Sequence, residues 1–434
     1  MSFPKYPAYK DSGVEWIGDI PVGWIISPLR YLAQCLDGKR IPLNKEERSC
    51  KKGNIPYWGA NCIVDFVDEF LFNQELILIG EDGAPFFDKT KEVSFYINGP
   101  IWPNNHVHVL KVFENFSPKF LVNALNFVEY SSYIEGSTRD KLTQNNMNRI
   151  VLPIPPLPEQ QAIASFLDRE CGKIDALIAE QERLIALLAE KRQGVISHAV
   201  TKGLNPNVPM KDSGIPWIGM VPEGWDYSRL RFVAQFNPSK TEISYLPLNE
   251  EISFLPMEAI GDDGTINLEQ KRKISDVQNG YTYFRDMDIV FAKITPCFEN
   301  GKGAVVKGLL RGVGFGTTEL IVARSVPSRV IPEYLFLFFQ SDIFRKPAEA
   351  SMYGAGGQKR VSERFVRDFS ISLPPLPEQQ AIASFLDLEC RKIDTLIAEQ
   401  KAMLALCKER RAALISAAVT GKIDVRAQSK ARAA

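Results

Sequence analysis

Two polar loops contain the residue types that bind nucleic acids. The first, at residues 136–149, reads GSTRDKLTQNNMNR, and the second, at residues 354–364, reads GAGGQKRVSER. Glycines permit close approach of the backbone, hydroxyl and basic groups bind phosphates, and arginine, asparagine and glutamine read base edges. Together with Lys293, which follows a predicted strand, the candidate DNA-contacting residues are Ser137, Thr138, Arg139, Lys141, Gln144, Asn145, Asn148, Gln358, Lys359, Arg360 and Arg364.

A solvated loop followed by an ordinary helical turn is the alternative for either loop taken alone. The same kind of loop recurs at the same place in both halves of the chain, and this recurrence favours DNA binding. Residues 345–367 also contain six Lys or Arg residues against two Glu. We therefore expect a local basic surface around the second loop.

His106 and His108 lie on one face of a predicted strand. A zinc site needs further ligands, and this stretch has no neighbouring cysteine or carboxylate. We therefore predict a half-buried strand whose imidazoles face DNA, and no metal site.

Each polar loop is followed by a short strand and then by a long helix. The segment PPLPEQQAIASFLD occurs at residues 155–168 and again at 374–387. Proline favours extended backbone before it and is accepted in the first helical turn, so the helices should begin near Pro158 and Pro377. Gly203 and Gly421 are typical C-terminal caps. A helix of about 44 residues is roughly 65 Å long.

Both helices contain a seam of coiled-coil period. Steps of four and three define it. In the first helix the seam comprises Ile174, Ile178, Gln181, Ile185, Leu188, Arg192, Val195 and Ala199, and in the second it comprises Ile393, Ile397, Gln400, Leu404, Cys407, Arg411, Leu414 and Ala418. Glutamine and arginine interrupt the seam at the same two places, which fixes its register. The off-seam apolar residues predict further partners: Leu177, Leu184, Leu187 and Ile196, and Leu396, Met403, Leu406 and Ile415.

The chain is a tandem duplication whose ends match and whose middles differ. Residues 10–18 recur at 211–219, an offset of 201, whereas the long helices recur at an offset of 219. Each middle contains a buried strand-like run, 76–79 or 289–292, a proline-opened helix, Pro118–Tyr130 or Pro332–Phe344, and a last strand. This pattern predicts two α+β heads and two long helices, with boundaries at 1–154, 155–204, 205–373 and 374–434.

Bulk composition describes an ordinary soluble protein. The chain has 434 residues, 45% of them hydrophobic, and a formal net charge of zero, so a nucleic-acid surface must be local. The first residues do not resemble a signal peptide and no apolar run is long enough to span a bilayer, so we expect a cytoplasmic location and no membrane. Seven cysteines without Cys-x-x-Cys spacing predict small buried side chains rather than disulfides or zinc ligands.

Two other functional classes remain open. A fused methyltransferase or nuclease would be an enzyme in its own right, but the sequence has no Asn-Pro-Pro-Phe type segment and no Walker motif. A coiled-coil scaffold without DNA binding is the other alternative.

The PPLPEQ start of both long helices, after two dissimilar heads, resembles the specificity subunit of type I restriction-modification enzymes. The Trp-Ile-Gly and Pro-x-Gly-Trp segments before each head are also similar to that family. The resemblance implies that each head recognises half of a split double-stranded DNA target, and that the helices pair antiparallel, in pseudo-twofold fashion, as a spacer that sets the gap. It further implies two modification subunits and restriction subunits as partners. S-adenosylmethionine, ATP and Mg²⁺ would then bind to those partners, and this chain would be non-catalytic and without a cofactor.

Overall fold

The computed structural model describes residues 3–136, 139–355 and 357–427. The chain folds into two compact units, unit 1 (residues 1–183 and 400–434) and unit 2 (residues 184–399). Each unit contains one head and part of each long helix. Among the described residues, no helix is long and apolar enough to cross a membrane.

Head 1 contains strands β1 to β12 and helices α1 to α3, and helix α4 follows it. The strands are β1 (Tyr9–Asp11), β2 (Asp19–Pro21), β3 (Ile25–Pro28), β4 (Ala33–Cys35), β5 (Lys52–Trp58), β6 (Ile63–Val67), β7 (Phe72–Gly80), β8 (Ser94–Pro103), β9 (Val107–Val112), β10 (Ile134–Glu135), β11 (Lys141–Leu142) and β12 (Val151–Ile154). The helices are α1 (Lys45–Cys50), α2 (Pro118–Leu125), α3 (Gln144–Arg149) and α4 (Leu157–Lys202).

Head 2 contains strands β13 to β24 and helices α5 to α8, and helix α9 follows it. The strands are β13 (Met210–Asp212), β14 (Met220–Pro222), β15 (Asp226–Arg229), β16 (Ala234–Phe236), β17 (Glu251–Leu255), β18 (Lys271–Lys273), β19 (Thr282–Arg285), β20 (Ile289–Ala292), β21 (Gly303–Val305), β22 (Val313–Gly316), β23 (Leu320–Ser325) and β24 (Ser370–Leu373). The helices are α5 (Ile274–Val277), α6 (Pro332–Gln340), α7 (Asp342–Ala350), α8 (Glu363–Asp368) and α9 (Leu376–Val419).

Both heads are built on the same three antiparallel strands. In head 1 the order is β4-β9-β7, and in head 2 it is β16-β23-β20. Gly80 pairs with Val107 in head 1, and Ala292 pairs with Leu320 at the equivalent place in head 2. The apolar runs on β7 and β20 are fully buried, as their composition predicts. Each head is therefore an α+β domain built around its own copy of this three-stranded arrangement.

The strands added to this core differ between the heads. Head 1 extends its sheet through β8, β5 and β6, whereas head 2 adds β21 and forms a separate sheet in the order β18-β17-β22-β19. This difference accounts for the unequal lengths of the two middles. It also means that the heads present different surfaces around a common frame.

The PPLPEQ segments join each head to its long helix through polar contacts of their glutamate and glutamine side chains. Glu159 accepts a hydrogen bond from Trp24 Nε1 at 3.1 Å, and Glu378 accepts the equivalent bond from Trp225 Nε1 at 3.0 Å. Gln160 is 1% exposed; its Oε1 accepts from the Ser117 N–H at the start of α2, and its Nε2 donates to the Pro155 carbonyl. The motif therefore places the first turn of the helix against the head, and Gln379 repeats these contacts in unit 2.

The burial pattern of both long helices follows the spacing of the predicted seam. From residue 174 to 195 of α4, every seam residue is partly shielded from solvent, whereas the side chains off the seam are exposed except for Gln193. In unit 1, Asp175 of α4 contacts Arg411 of α9, and Glu182, further along α4, contacts Lys408, which comes earlier in α9. The helices thus pair antiparallel within this unit.

Several sequence predictions about local structure need correction. Helix α2 ends at Leu125 rather than continuing to Tyr130. The second predicted helix is interrupted because Ser341 adopts extended backbone, with φ −76° and ψ 150°, between α6 and α7. Ile196 and Ile415, predicted to belong to a free apolar surface, are instead buried in the cores of their units.

The cysteine prediction is only partly correct. All seven cysteines are free, and Cys171, Cys390 and Cys407 are buried as predicted. Cys50 and Cys62 are exposed, which contradicts the prediction for those two. Burial raises the pKa of the Cys171 thiol to about 11, so this side chain stays neutral and inert.

Candidate nucleic-acid interface

The first polar loop is the connection of a small β-hairpin in head 1. Glu135 on β10 pairs with Lys141 on β11. Gly136 begins the loop with φ +113°, and a Cβ atom there would lie 2.2 Å from the Arg139 carbonyl oxygen. Only glycine fits this position, because the left-handed backbone and the close approach both exclude a side chain.

The second polar loop closes in the same way in head 2. Tyr353 and Arg360 form the paired positions, and each donates its N–H to the carbonyl of the other. Gly354 begins this loop with φ +137°, and a Cβ atom there would lie 2.4 Å from the Gln358 carbonyl oxygen. The two loops are therefore structural equivalents, although their sequences share only the leading glycine and the basic residue that closes them.

Each hairpin is attached to its head by a set of backbone hydrogen bonds that we call the hairpin frame. In head 1, the Glu81 N–H donates to the His106 carbonyl at 2.9 Å, and the Leu142 N–H donates to the Glu81 carbonyl at 2.7 Å. In head 2, the Lys293 N–H donates to the Glu319 carbonyl at 2.9 Å, and the Val361 N–H donates to the Lys293 carbonyl at 2.9 Å.

The frame carries one side chain from each of three places, and these side chains differ between the heads. The first place is the end of the central strand, which carries Glu81 in head 1 and Lys293 in head 2. The second is the start of the neighbouring strand, which carries His106 in head 1 and Glu319 in head 2. The closing arm of the hairpin gives Lys141 or Arg360. A cation thus closes both hairpins, whereas the carboxylate comes from a different place in each head.

In head 1 the loop cations are paired with carboxylates. Lys141 Nζ lies 3.2 Å from Glu81 Oε1, and Arg139 Nη2 lies 3.2 Å from Asp82 Oδ1. The Lys141 side chain remains 49% exposed. The pairing holds these cations in place while leaving them accessible to a ligand.

In head 2 the guanidinium of Arg360 forms a forked pair with Glu319. Arg360 Nη2 lies 2.7 Å from Glu319 Oε1, and Arg360 Nε lies 3.0 Å from Oε2. This hydrogen bonding holds the pKa of the Glu319 carboxyl below its usual range, so the pair is charged at neutral pH. Lys293, predicted as a DNA-contacting residue, lies beside this pair and lowers the same pKa further.

The remaining predicted residues lie around the hairpins. In head 1, Gln144 and Asn145 are exposed on α3, whose first turn is capped by the Thr143 hydroxyl, and Asn148 is partly exposed. Ser137 and Thr138 lie outside the described residues.

In head 2, Gln358 and Lys359 are exposed in the loop, and Arg364 on α8 is 94% exposed. The described candidates of each head therefore lie in the hairpin, next to it or on the short helix that follows it. DNA contact by these residues stays a prediction.

His108 does not face solvent, contrary to the sequence prediction. It is 1% exposed, with Nδ1 2.6 Å from Asp37 Oδ2 and Nε2 2.8 Å from the Leu142 carbonyl oxygen. His106 is partly exposed and pairs with Asp82. His108 therefore supports the hairpin from inside the head.

Asp37, Glu81 and His108 lie close enough together to hold a metal ion. Arg40 already pairs with Glu81 at 2.7 Å and with Asp37 at 3.4 Å. Burial raises the pKa of Asp37, but hydrogen bonds from His108 and from the Val109 N–H, with the Arg40 charge, lower it below its usual value overall. The group is thus a charge-balanced network under the hairpin.

Sequence reasoning missed the carboxylates that hold the loop cations. The position of Glu81, directly after a buried strand, could be recognised in the sequence. Glu319 could not be linked to Arg360, because it lies 41 residues before it. Exposed Tyr353, the hairpin partner of Arg360, was also missed. The shared offset of 219 between Lys141 and Arg360 is the one sequence signal that marks their equivalence.

The chain is similar to proteins of one family. The family model described as "Type I restriction modification DNA specificity domain" matches residues 21–184 and 222–404. The chain is 40% identical over 201 residues to the type I restriction enzyme EcoAI specificity subunit of Escherichia coli, covering 46% of this chain and 33% of that relative.

Two further likenesses extend over nearly the whole chain. The type I restriction enzyme EcoKI specificity subunit of Escherichia coli K12 is 22% identical over 431 residues, with 94% of this chain and 90% of that one covered. A solved structure described as "Structural basis underlying complex assembly and conformational transition of the type I R-M system" has a TM-score of 0.62 at 15% identity. It covers 92% of this chain and 98% of that chain, which is a likeness of fold. The match to EcoAI, like that to EcoEI, spans about a third of the relative's length.

Proposed function

Because this chain belongs to the type I restriction modification DNA specificity domain family, we propose that it is the specificity subunit of a type I restriction-modification complex. In this proposal, head 1 recognises one half of a split, asymmetric DNA target and head 2 recognises the other. The paired long helices set the gap between the two halves. The chain itself does no chemistry.

The duplicated hairpin frame is the observation that best supports two DNA readers. Both heads hold an exposed cation at the same place on the same backbone, while the neighbouring side chains differ. A common frame with different side chains suits two readers that dock alike on a duplex but contact different base edges. Exposed Gln144 and Asn145 in head 1 and exposed Lys359 and Arg364 in head 2 supply further donors to bases and phosphates.

The exposed apolar residues of the long helices are an argument for the binding of two copies of one partner. Unit 1 exposes Leu177, Met403 and Leu406, and unit 2 exposes the residues at the equivalent positions, Leu396, Leu184 and Leu187. Equivalent apolar patches on two units match two identical subunits. We assign these patches to two modification subunits, with restriction subunits joining the complex through further contacts.

The cofactors of the reaction belong to those partners in this proposal. S-adenosylmethionine would bind to the modification subunits, and ATP and Mg²⁺ to the restriction subunits. The complex would methylate adenine in its target, cleave unmodified DNA, and work in the cytoplasm.

Methylome sequencing tests the proposal directly. Cells that express the chain with its modification subunit should acquire adenine methylation at one bipartite motif, and cells with the modification subunit alone should not. A motif that is unchanged when this chain is deleted would contradict the proposal.

Two further assays separate the alternatives. Transfer of a labelled methyl group by the purified chain alone would instead identify an enzyme. A complex whose DNA affinity is absent at low salt would identify a scaffold.

A further inference from the structure

The ion pair between Arg360 and Glu319 is arranged for reading a base rather than for binding a phosphate. The carboxylate of Glu319 occupies the Nε and Nη2 side of the guanidinium, with distances of 3.0 and 2.7 Å. Among the described residues, the Nη1 atom makes a single hydrogen bond, a long one of 3.4 Å to the Gln358 carbonyl oxygen. The edge formed by Nη1 and the second Nη2 proton is thus left for a ligand with two acceptors.

The charge of the ion pair also favours contact with a base over contact with a phosphate. The pair carries no net charge, because Glu319 balances Arg360, and a carboxylate this close weakens attraction to phosphate. Two other cations of this head, Lys359 in the loop and the 94% exposed Arg364, are better placed to neutralise phosphates. The contribution of Arg360 is therefore geometric: an oriented pair of donors that loses little entropy on binding.

The N7 and O6 atoms of guanine are the double acceptor that such a donor edge recognises in the major groove. The Arg360 side chain is 36% exposed, and its hairpin partner Tyr353 is 63% exposed. An accessible oriented guanidinium beside an exposed aromatic ring is a suitable base-contacting surface.

Head 1 has a lysine with a carboxylate partner at the same backbone position, without the forked geometry of Arg360. Lys141 is held by Glu81, whereas Arg360 is held by Glu319, so the two carboxylates come from different strands of their frames. Two different carboxylate positions produce one outcome, an exposed cation held at the closing arm. Glu135 replaces Tyr353 as the hairpin partner in head 1, so the surroundings of the two cations differ.

We propose that Arg360, positioned by Glu319, reads a guanine in the half-target of head 2. This inference rests on the proposed function, because it assigns a residue to one of the two DNA readers.

The experiment compares Arg360→Ala with Lys359→Ala, a neighbouring exposed cation of the same loop. Each variant is purified in complex with the modification subunit, and its affinity is measured against duplexes in which every base pair of both half-targets is varied. Arg360→Ala should lose roughly 10- to 100-fold of the preference for guanine at one position of the second half-target, with the salt dependence unchanged. Lys359→Ala should weaken all duplexes alike and flatten the logarithmic salt dependence by about one unit.

Two more variants separate readout from folding. Arg360→Lys keeps the charge but removes the fork, and it should relax the same position. Glu319→Gln should relax that position as well, at an unchanged melting temperature, since it disturbs only the orientation of Arg360.

The outcomes distinguish this inference from the proposed function. If Arg360→Ala weakens all duplexes equally and lowers the salt slope, or keeps the guanine preference, the base-reading assignment is overturned while the proposed function stands. If the complex that contains the chain without substitutions shows no sequence preference at either half-target, the proposed function itself is contradicted.

Discussion

Arg411 Nε lies 2.7 Å from Asp175 Oδ1, and this ion pair joins the two long helices within unit 1. Unit 2 contains the same pair, Arg192 with Asp394, at 2.8 Å. Each arginine is a polar position of the predicted seam, and each aspartate follows the isoleucine that begins the seam in the other helix. The polar interruptions thus specify the antiparallel register, because only one alignment joins each arginine to its aspartate.

This ion pair should contribute modestly to stability. In a double-mutant cycle of Arg411→Ala and Asp175→Ala, we expect a coupling of at most about 1 kcal/mol, because Asp175 is half exposed. Arg411→Ala alone should cost more than Asp175→Ala, since Arg411 also pairs with Glu92 at 2.9 Å. Urea unfolding measures both effects. The control is Arg391→Ala, which removes a highly exposed ion pair within α9 and should change the free energy of unfolding little. A loss equal to that of Arg411→Ala would contradict this account.

The apolar seam should matter far more than the ion pair. Replacing Ile178 and Leu188 together with Asp places unpaired charge in the seam, which costs several kcal/mol. We expect helix pairing and assembly with the modification subunit to be lost. The matched control replaces exposed Leu177 and Leu187 with Asp.

The control variant should keep the melting temperature and lose only capture of the modification subunit. Circular dichroism and co-purification measure the two effects. Normal co-purification of the seam variant would show that the seam is misassigned, and normal co-purification of the control would show that the partner docks elsewhere.

Glu159 should stabilise unit 1 through its two hydrogen bonds. Tyr6 OH donates to it at 2.6 Å and Trp24 Nε1 at 3.1 Å. Glu159→Gln removes the charge that strengthens both bonds, and we expect a loss of about 1.5–3 kcal/mol in the free energy of unfolding. Glu180→Gln, at an exposed position of the same helix, should change it by less than about 0.5 kcal/mol. Equal effects of the two variants would contradict the assignment.

Unit 1 should lose stability in acid through Asp37. Its pKa is lower in the folded protein than in the unfolded chain, so its contribution is fully present above the unfolded value of about 4 and disappears as pH falls below it. Asp37→Asn should therefore be less stable than the parent at pH 7 and show a shallower loss of melting temperature between about pH 5 and 3. Parallel pH curves for the two proteins would show that Asp37 does not contribute.

The heads should be exchangeable between the paired strands that close them. In head 1, β3 pairs with β12, so an exchange of residues 29–150 leaves that closing pair intact. With another family member's head inserted there, one half of the methylated motif should change and the other half should stay. Methylome sequencing reads both halves at once. A change in both halves would mean that the heads do not read independently.

The features that repeat locally could be predicted from the sequence. Helix period and proline placement identified α4 and α9, and the four-three steps identified the residues that are shielded between them. Duplication was visible as a shift in residue number, and the leading glycines of the hairpins marked positions where the backbone has φ above zero. These signals are readable because each depends on residues a few positions apart.

The pairing of charged side chains, in contrast, follows from the folded chain and could not be predicted from the sequence. Glu319 reaches Arg360 because the start of β23 and the closing arm of the hairpin both hydrogen-bond to Lys293, and no local pattern encodes that meeting. His108 is buried rather than DNA-facing because Asp37, 71 residues away, satisfies its ring. Strand register sets such contacts, and register depends on pairing between strands that are far apart in the sequence. Helical periodicity depends only on residues a few positions apart.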